Sequence, residues 1–149
     1  MRLLIQRVKK AKININEQII SQIGKGLLLF VGVGIDDQDE DIDYLVKKTI
    51  NLRIFEDASG KMNLNIKQIC GQILSVPQFT LYANTQDGNR PGFELAASGQ
   101  VAKELWLKFN RQLKGNSVVV SEGVFGQHMD IELINDGPVT IWLDSKSKA

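Results

Sequence analysis

Apolar and polar positions alternate early in the chain. Ala11, Ile13 and Ile15 interleave with Lys10, Lys12 and Asn14, the period of a strand buried on one face. Asn16-Glu17-Gln18 marks a turn, Ile19 to Ile23 resumes the strand, and Gly24-Lys25-Gly26 breaks it again. The run Leu27-Leu28-Leu29-Phe30-Val31 is apolar throughout, which suits a strand covered on both faces. The period then becomes helical: Ile42, Leu45, Val46, Thr49 and Ile50 share one face. Asp36, Asp37, Asp39, Glu40 and Asp41 precede them and Lys47 and Lys48 follow, as the helix dipole favours.

Beyond this helix, Arg53 to Glu56 reads as extended and residues 57–61 as a turn-rich loop. Gln68 to Gln72 reads as an apolar-leaning strand with a buried Cys70. Ile73 to Val76 leads into Pro77-Gln78-Phe79-Thr80-Leu81-Tyr82, a strand whose proline places it at an edge, a strand start or a bulge. Residues 84–92 are loop. A second helix is expected from an N-cap at Ser98 to Lys114, with Gly115 as C′ and Val101, Leu105, Phe109 and Leu113 on its core face. Ser117 to Ser121 is a valine-rich strand. Met129, Ile131 and Leu133, then Val139, Ile141 and Leu143, form two more alternating runs. Between these lies Asn135-Asp136-Gly137-Pro138-Val139-Thr140, which has two readings. Asp-Gly between apolar runs signals a tight hairpin turn. A Gly-Pro bond can also sit cis at a cost of roughly 0.5–1 kcal/mol, turning two carbonyls the same way as a rigid acceptor pair.

With 149 residues and 43% hydrophobic content, the chain fits one domain spanning 1–149. Its 18 basic and 17 acidic residues nearly cancel, so any nucleic-acid footprint is small. Lys9, Lys10, Lys12, Lys47, Lys48 and Arg90 are candidates for a few phosphate contacts, and a solvated face explains most of the lysines equally well. The single cysteine excludes an internal disulfide framework, and no zinc-type spacing occurs. The acidic cluster at 36–41 reads as a helix start, so neither a metal nor a cofactor is expected. The first residues lack a signal-peptide apolar run, and the longest uncharged apolar run, Gly26 to Ile35, is too short to span a bilayer. No membrane association and a cytoplasmic location are therefore expected.

Side chains with familiar catalytic patterns are scarce. His128 is the sole histidine and lies in no Gly-x-Ser-x-Gly setting. No Walker loop occurs, and Gly32-Val33-Gly34 lacks the third glycine of a dinucleotide fingerprint. Thr80 could serve as a nucleophile only beside a base, which its sequence neighbours do not supply; otherwise it is a β-branched strand residue.

The chain closely resembles the D-aminoacyl-tRNA deacylases. The resemblance runs from Met1 to Asp144 and is carried by Leu4-Ile5-Gln6-Arg7-Val8, Arg53-Ile54-Phe55, Gly60-Lys61-Met62-Asn63-Leu64, Gln78-Phe79-Thr80-Leu81, Arg90-Pro91 with Phe93, and Asn135 to Thr140. It implies an α/β (α+β-like) fold of mostly antiparallel strands, a barrel-like pair of sheets with two main helices outside. It further implies a cytoplasmic homodimer that hydrolyses the ester of D-aminoacyl-tRNA or glycyl-tRNA at the tRNA 3′ end. On this resemblance Gln78, Phe79 and Thr80 form the catalytic segment, with the Phe79 and Thr80 amides as oxyanion donors. Gly137 and Pro138, joined by a cis bond, enter the partner's pocket and exclude L side chains; Arg7 braces them and Met129 lines the pocket or simply packs in the core. Pro77 stands where serine is more usual, removing one hydroxyl and one backbone donor. Two other readings predict different behaviour: a binding module for RNA ends or amino acids without turnover, and a threonine-dependent hydrolase forming an acyl adduct on Thr80.

Overall fold

In the computed structural model, which describes residues 1–147, the order is β1 (Arg2–Ile15), β2 (Gln18–Ile23), β3 (Gly26–Gly32), α1 (Asp39–Asn51), β4 (Phe55–Glu56), β5 (Met62–Leu64), β6 (Gln72–Pro77), a 3₁₀ turn (Phe79–Tyr82), α2 (Gly99–Gly115), β7 (Val119–Glu122) and β8 (Asp130–Asp144). The larger sheet runs β2-β1-β3-β6-β7, with β8 on the other side of β1; β4 and β5 form a small second sheet. The result is a mixed α/β fold in which a nearly closed, barrel-like sheet carries two helices. Most pairs are antiparallel, but β3–β6 and β6–β7 are parallel, because α1 and α2 supply the crossovers.

Two apolar clusters share the sheet. Leu3, Ile5, Leu27 and Leu29 pack with α1 and α2, whereas Val8, Ala11, Ile13, Leu28, Leu74 and Val76 fill the other side. β3 feeds both, which accounts for its uninterrupted apolar run. β1 also feeds both, and it must change faces to do so. Odd-numbered Leu3 and Ile5 belong to the helix side, while odd-numbered Ala11 and Ile13 belong to the opposite side. β8 makes the same switch: Ile131 and Leu133 pack in the second cluster, and Val139, Ile141 and Leu143 in the first. A one-residue slip reverses every side chain, so both strands bulge at the same level.

That bulge overturns both readings of residues 135–140. The segment is no hairpin turn, since both flanks belong to β8 and pair with β1. Between the pairs Gln6–Thr140 and Val8–Asn135 lies only Arg7 on β1, opposite residues 136–139 on β8. The cis expectation is also corrected: no described peptide bond is cis, so Gly137–Pro138 is trans. The change of direction comes instead from Gly137, at φ +111°, and from the extra residues of the bulge, while the bond keeps its intrinsically preferred isomer.

Other expectations shift as well. Residues 79–82, expected to continue the strand, instead form a 3₁₀ turn just beyond Pro77, which has no N–H to offer the ladder. The buried face of α2 is Ala102, Trp106, Phe109, Asn110 and Leu113, rotated from the predicted stripe; Val101 is 46% exposed. Gly115 is the last helical residue, and Ser117 takes the left-handed conformation at φ +62°. Cys70 is exposed at φ +51°, in a turn rather than a buried strand. Ser98 occupies the N-cap but makes no side-chain cap hydrogen bond. Among the described residues, no helix is long and apolar enough to cross a membrane.

The start of α1 is locked electrostatically to the chain after β8. Asp41 accepts from the Gln38 amide (2.8 Å) and from Lys146 Nζ (2.7 Å). Burial pushes the Asp41 carboxyl up, but bonds from Lys146, Ser145 and Gln38 jointly outweigh it and hold the group at about 2. A depressed carboxylate stabilises the fold above its unfolded value, near 3.8, and the gain disappears as pH falls toward about 2. Urea midpoints should therefore decline between pH 4 and pH 2, and less steeply in Asp41→Asn. An equal decline in both proteins would remove Asp41 from the explanation.

Candidate active site

β6 runs parallel to β3 as far as the pair Val31–Pro77, and the Gln78 amide then donates to the Val31 carbonyl (2.8 Å). Gln78, at φ −144° and ψ 83°, turns the chain into the short 3₁₀ turn. This turn lies close on β3: a Cβ built on Gly32 would stand 3.0 Å from Leu81 Cβ and 3.1 Å from the Gln78 carbonyl oxygen. A side chain there would push the turn off the sheet. Within the turn the Leu81 amide donates to the Gln78 carbonyl (3.4 Å) and the Ala83 amide to the Thr80 carbonyl (3.0 Å). Phe79 and Thr80 come first, so their amides precede any acceptor the turn can offer.

Gln78 Nε2 donates to Thr80 Oγ1, so the hydroxyl faces an amide rather than a base. A side-chain amide accepts no proton at neutral pH, so Gln78 is not a general base for this hydroxyl. Phe79 is 56% exposed, and its ring meets Phe93 edge to face at 4.9 Å between centroids. The loop containing Phe93 is closed by reciprocal backbone bonds between Asn84 and Gly92, both 2.8 Å.

Beside the turn opens a cavity of about 380 Å³. Its buried lining includes Val31, Val33, Val76 and Trp106, and its exposed rim includes Phe79, Gly126, Gln127 and His128. Pro77, Gln78 and Met129 also contribute. Trp106 Nε1 donates to Ser75 Oγ (2.9 Å), fixing the ring from β6. Met129 Sδ accepts from the Val124 amide (3.4 Å), and the side chain both lines the cavity and packs on the second apolar cluster. His128 stands exposed at the rim, with Nε2 3.5 Å from Asp130 Oδ1. Among the described residues, no three or more His, Cys, Asp or Glu are grouped to hold a metal ion.

Gln78, Phe79 and Met129 thus line one cavity, with Thr80 adjacent in the turn. Gly137 and Pro138 are not in its lining; both are exposed on the β8 bulge. Arg7 organises that bulge. Only 5% exposed, it donates from Nε to the Asp136 carbonyl (3.0 Å) and from Nη1 to the Ile54 carbonyl (2.6 Å), and pairs with the Asp136 carboxylate (3.3 Å). Asn135 Nδ2 spans the base, donating to the carbonyls of Arg7 (3.2 Å) and Val139 (3.0 Å). Arg7 therefore contacts the segment assigned to it from the sequence. The Trp106 wall was not foreseen, because its helix face had been placed about one position away; an indole N–H in a predicted helix beside a buried serine strand was the available signal.

The chain belongs to the D-Tyr-tRNA(Tyr) deacylase family, whose sequence profile matches residues 4–144, and so to the hydrolases acting on aminoacyl-tRNA. A solved structure titled "c-Myc DNA Unwinding Element Binding Protein" is 35% identical, covering 97% of this chain and 98% of that one at a TM-score of 0.92. Another, titled as a probable eukaryotic D-amino acid tRNA deacylase, shares the fold at 17% identity and TM-score 0.76, covering 95% and 97% of the two chains.

Proposed function

We propose that this enzyme acts in the cytoplasm as a homodimer, removing D-amino acids and glycine from tRNA, and that one subunit's Gly137-Pro138 segment completes the other's cavity. The observation that carries the chemistry is the place of Phe79 and Thr80 at the start of the 3₁₀ turn, where their amides have no acceptor within the turn, with Phe79 lining the cavity. Support for the partner comes from the bulge, which is braced by Arg7 and Asn135 yet exposed and absent from its own chain's cavity. Along the same strand Ile134 and Trp142 are also exposed, and β8 pairs only with β1 among the described residues. A second copy would cover this edge.

In the proposed reaction the ester carbonyl oxygen takes the two amide N–H bonds as water adds to its carbon. Each such donor is worth about 3 kcal/mol in other acyl transfers. The carbon–oxygen bond to the terminal ribose then breaks, and the proton from water passes to the ribose oxygen. The vicinal ribose hydroxyl assists that transfer, which fits a site without a protein base. The substrate ammonium is held by main-chain carbonyls of the bulge, and an L side chain is driven against backbone that cannot yield. Glycine has no side chain to exclude. With Gly137–Pro138 trans, the acceptor fixed by Arg7 is the Asp136 carbonyl, rather than a pair aligned by a cis bond.

Nucleic-acid contacts outside the 3′ end are few on this reading. Lys12 is already paired with Glu132 (3.1 Å), and Lys48 lies over the Tyr44 ring. The name of the 35%-identical relative refers to DNA, but a net charge of +1 offers little for a long phosphate backbone. Purified protein given D-Tyr-tRNA and L-Tyr-tRNA should deacylate the first at least about a hundredfold faster. Comparable rates on both would refute the chiral reading, and binding without turnover on either would favour the binding module.

A further inference from the structure

We propose that Arg2 is a positioning residue for the deacylation reaction, holding the turn that presents the Phe79 and Thr80 amides in register with the sheet. A four-residue 3₁₀ turn has little stability of its own, since its hydrogen bonds are poorly aligned and few. Its entry is fixed by the Gln78–Val31 bond, but its far end needs another tie. Arg2 supplies it: Nη1 donates to the Leu81 carbonyl at 2.9 Å, while Nε donates to Asp144 Oδ2 at 3.0 Å. The guanidinium lies 4.2 Å from the centroid of the Tyr82 ring, the last residue of the turn, and 5.8 Å from that of Trp142 on β8. One planar group therefore joins the turn to β8 by two directed bonds and two ring faces.

These contacts differ from those of a surface ion pair. An exposed pair would leave the guanidinium free to move with its carboxylate, whereas Arg2 lies over the Tyr82 ring and its fork is shared between an anion and a backbone carbonyl. Tyr82 is anchored in turn, its hydroxyl donating to Asp37 Oδ2 (3.3 Å), which also accepts from the Gly34 amide (2.6 Å). With both ends of the turn held, the amides cannot drift from the cavity. A displacement of one ångström at such donors is enough to cost about a hundredfold in rate. A lysine cannot reproduce this, because one ammonium on a flexible stem does not span both acceptors in a plane.

This inference rests on the reading of Phe79 and Thr80 as the catalytic segment, and five proteins separate the two. Wild type, Phe79→Pro, Arg2→Met, Arg2→Lys and Arg2→Met/Phe79→Pro are compared on D-Tyr-tRNA by single-turnover kinetics, with circular dichroism establishing the folded fraction at the assay temperature. Arg2→Met should lower kcat about tenfold or more with KM nearly unchanged and the preference for D over L intact. Arg2→Lys should recover only part of the loss, and Arg2→Met/Phe79→Pro should lose less than the product of the single effects, since both act through one turn. A fully folded Arg2→Met with wild-type kcat, alongside an impaired Phe79→Pro, overturns the role of Arg2 alone. If Phe79→Pro, which lacks one of the two amides, is itself wild-type, or the wild type does not turn over, the underlying site reading fails. A rate loss that merely follows the unfolded fraction also overturns the proposal.

Discussion

Replacing Phe79 by proline is expected to lower kcat by about 10²–10³, leaving the protein folded. The first position of a helical turn tolerates proline because its N–H has no intrahelical partner and its φ is already near the required value. What is lost is the N–H assigned to the oxyanion. The aromatic ring is lost too, along with its contact to Phe93, so Phe79→Leu is the necessary companion. Leucine keeps the amide and should lose far less rate than proline. Single-turnover hydrolysis of D-Tyr-tRNA by the two variants measures the difference, and similar rates for leucine and proline would mean that the amide is not a catalytic donor.

Gly137→Ala should damage both stability and chiral sorting. At φ +111° an L residue is strained by about 1–3 kcal/mol before any contact is considered. The added Cβ would also stand 2.3 Å from Arg7 Nη2. A surface arginine would swing away, but this one is buried and bound to the Asp136 and Ile54 carbonyls. Either the bulge shifts or Arg7 abandons a buried carbonyl, which itself costs about 1–3 kcal/mol. The thermal midpoint should fall by roughly 4–10 °C, and D-Tyr-tRNA hydrolysis should drop as discrimination against L-Tyr-tRNA weakens. Unchanged stability and unchanged discrimination would mean that the bulge is not the rigid element described above.

The sequence exposed the period of the long strands and of the first helix, because burial on one face writes itself directly into alternation. It did not expose the face switch in β1 and β8. Two alternating runs separated by Asp-Gly look the same whether the chain reverses or merely bulges, and only pairing with β1 on both flanks distinguishes them. The 3₁₀ turn was hidden for a similar reason: Phe79, Thr80, Leu81 and Tyr82 have strand-like propensities, but close packing on Gly32 and the missing proline donor decide their conformation. Gln78, Phe79 and Met129 could be named in advance from the resemblance, whereas their meeting at one cavity depends on Trp106 and β3, which are remote in sequence. Arg2 was illegible, since a single arginine near the start of a strand says nothing about what its five donors will reach.

The central claim is that a rigid main-chain bulge from one subunit completes the ester-binding cavity of its partner. Mixed dimers test it most directly. Phe79→Pro removes a donor from a subunit's own cavity, and Gly137→Ala spoils the element it lends. A dimer containing one subunit of each kind retains one site with neither change if the bulge acts across the interface, and none if it acts within its own chain. Dimers assembled from equal amounts of the two impaired proteins should therefore regain D-Tyr-tRNA hydrolysis, approaching half the wild-type activity per mixed dimer; activity no higher than that of the separate variants, with mixed dimers demonstrably formed, would contradict the claim.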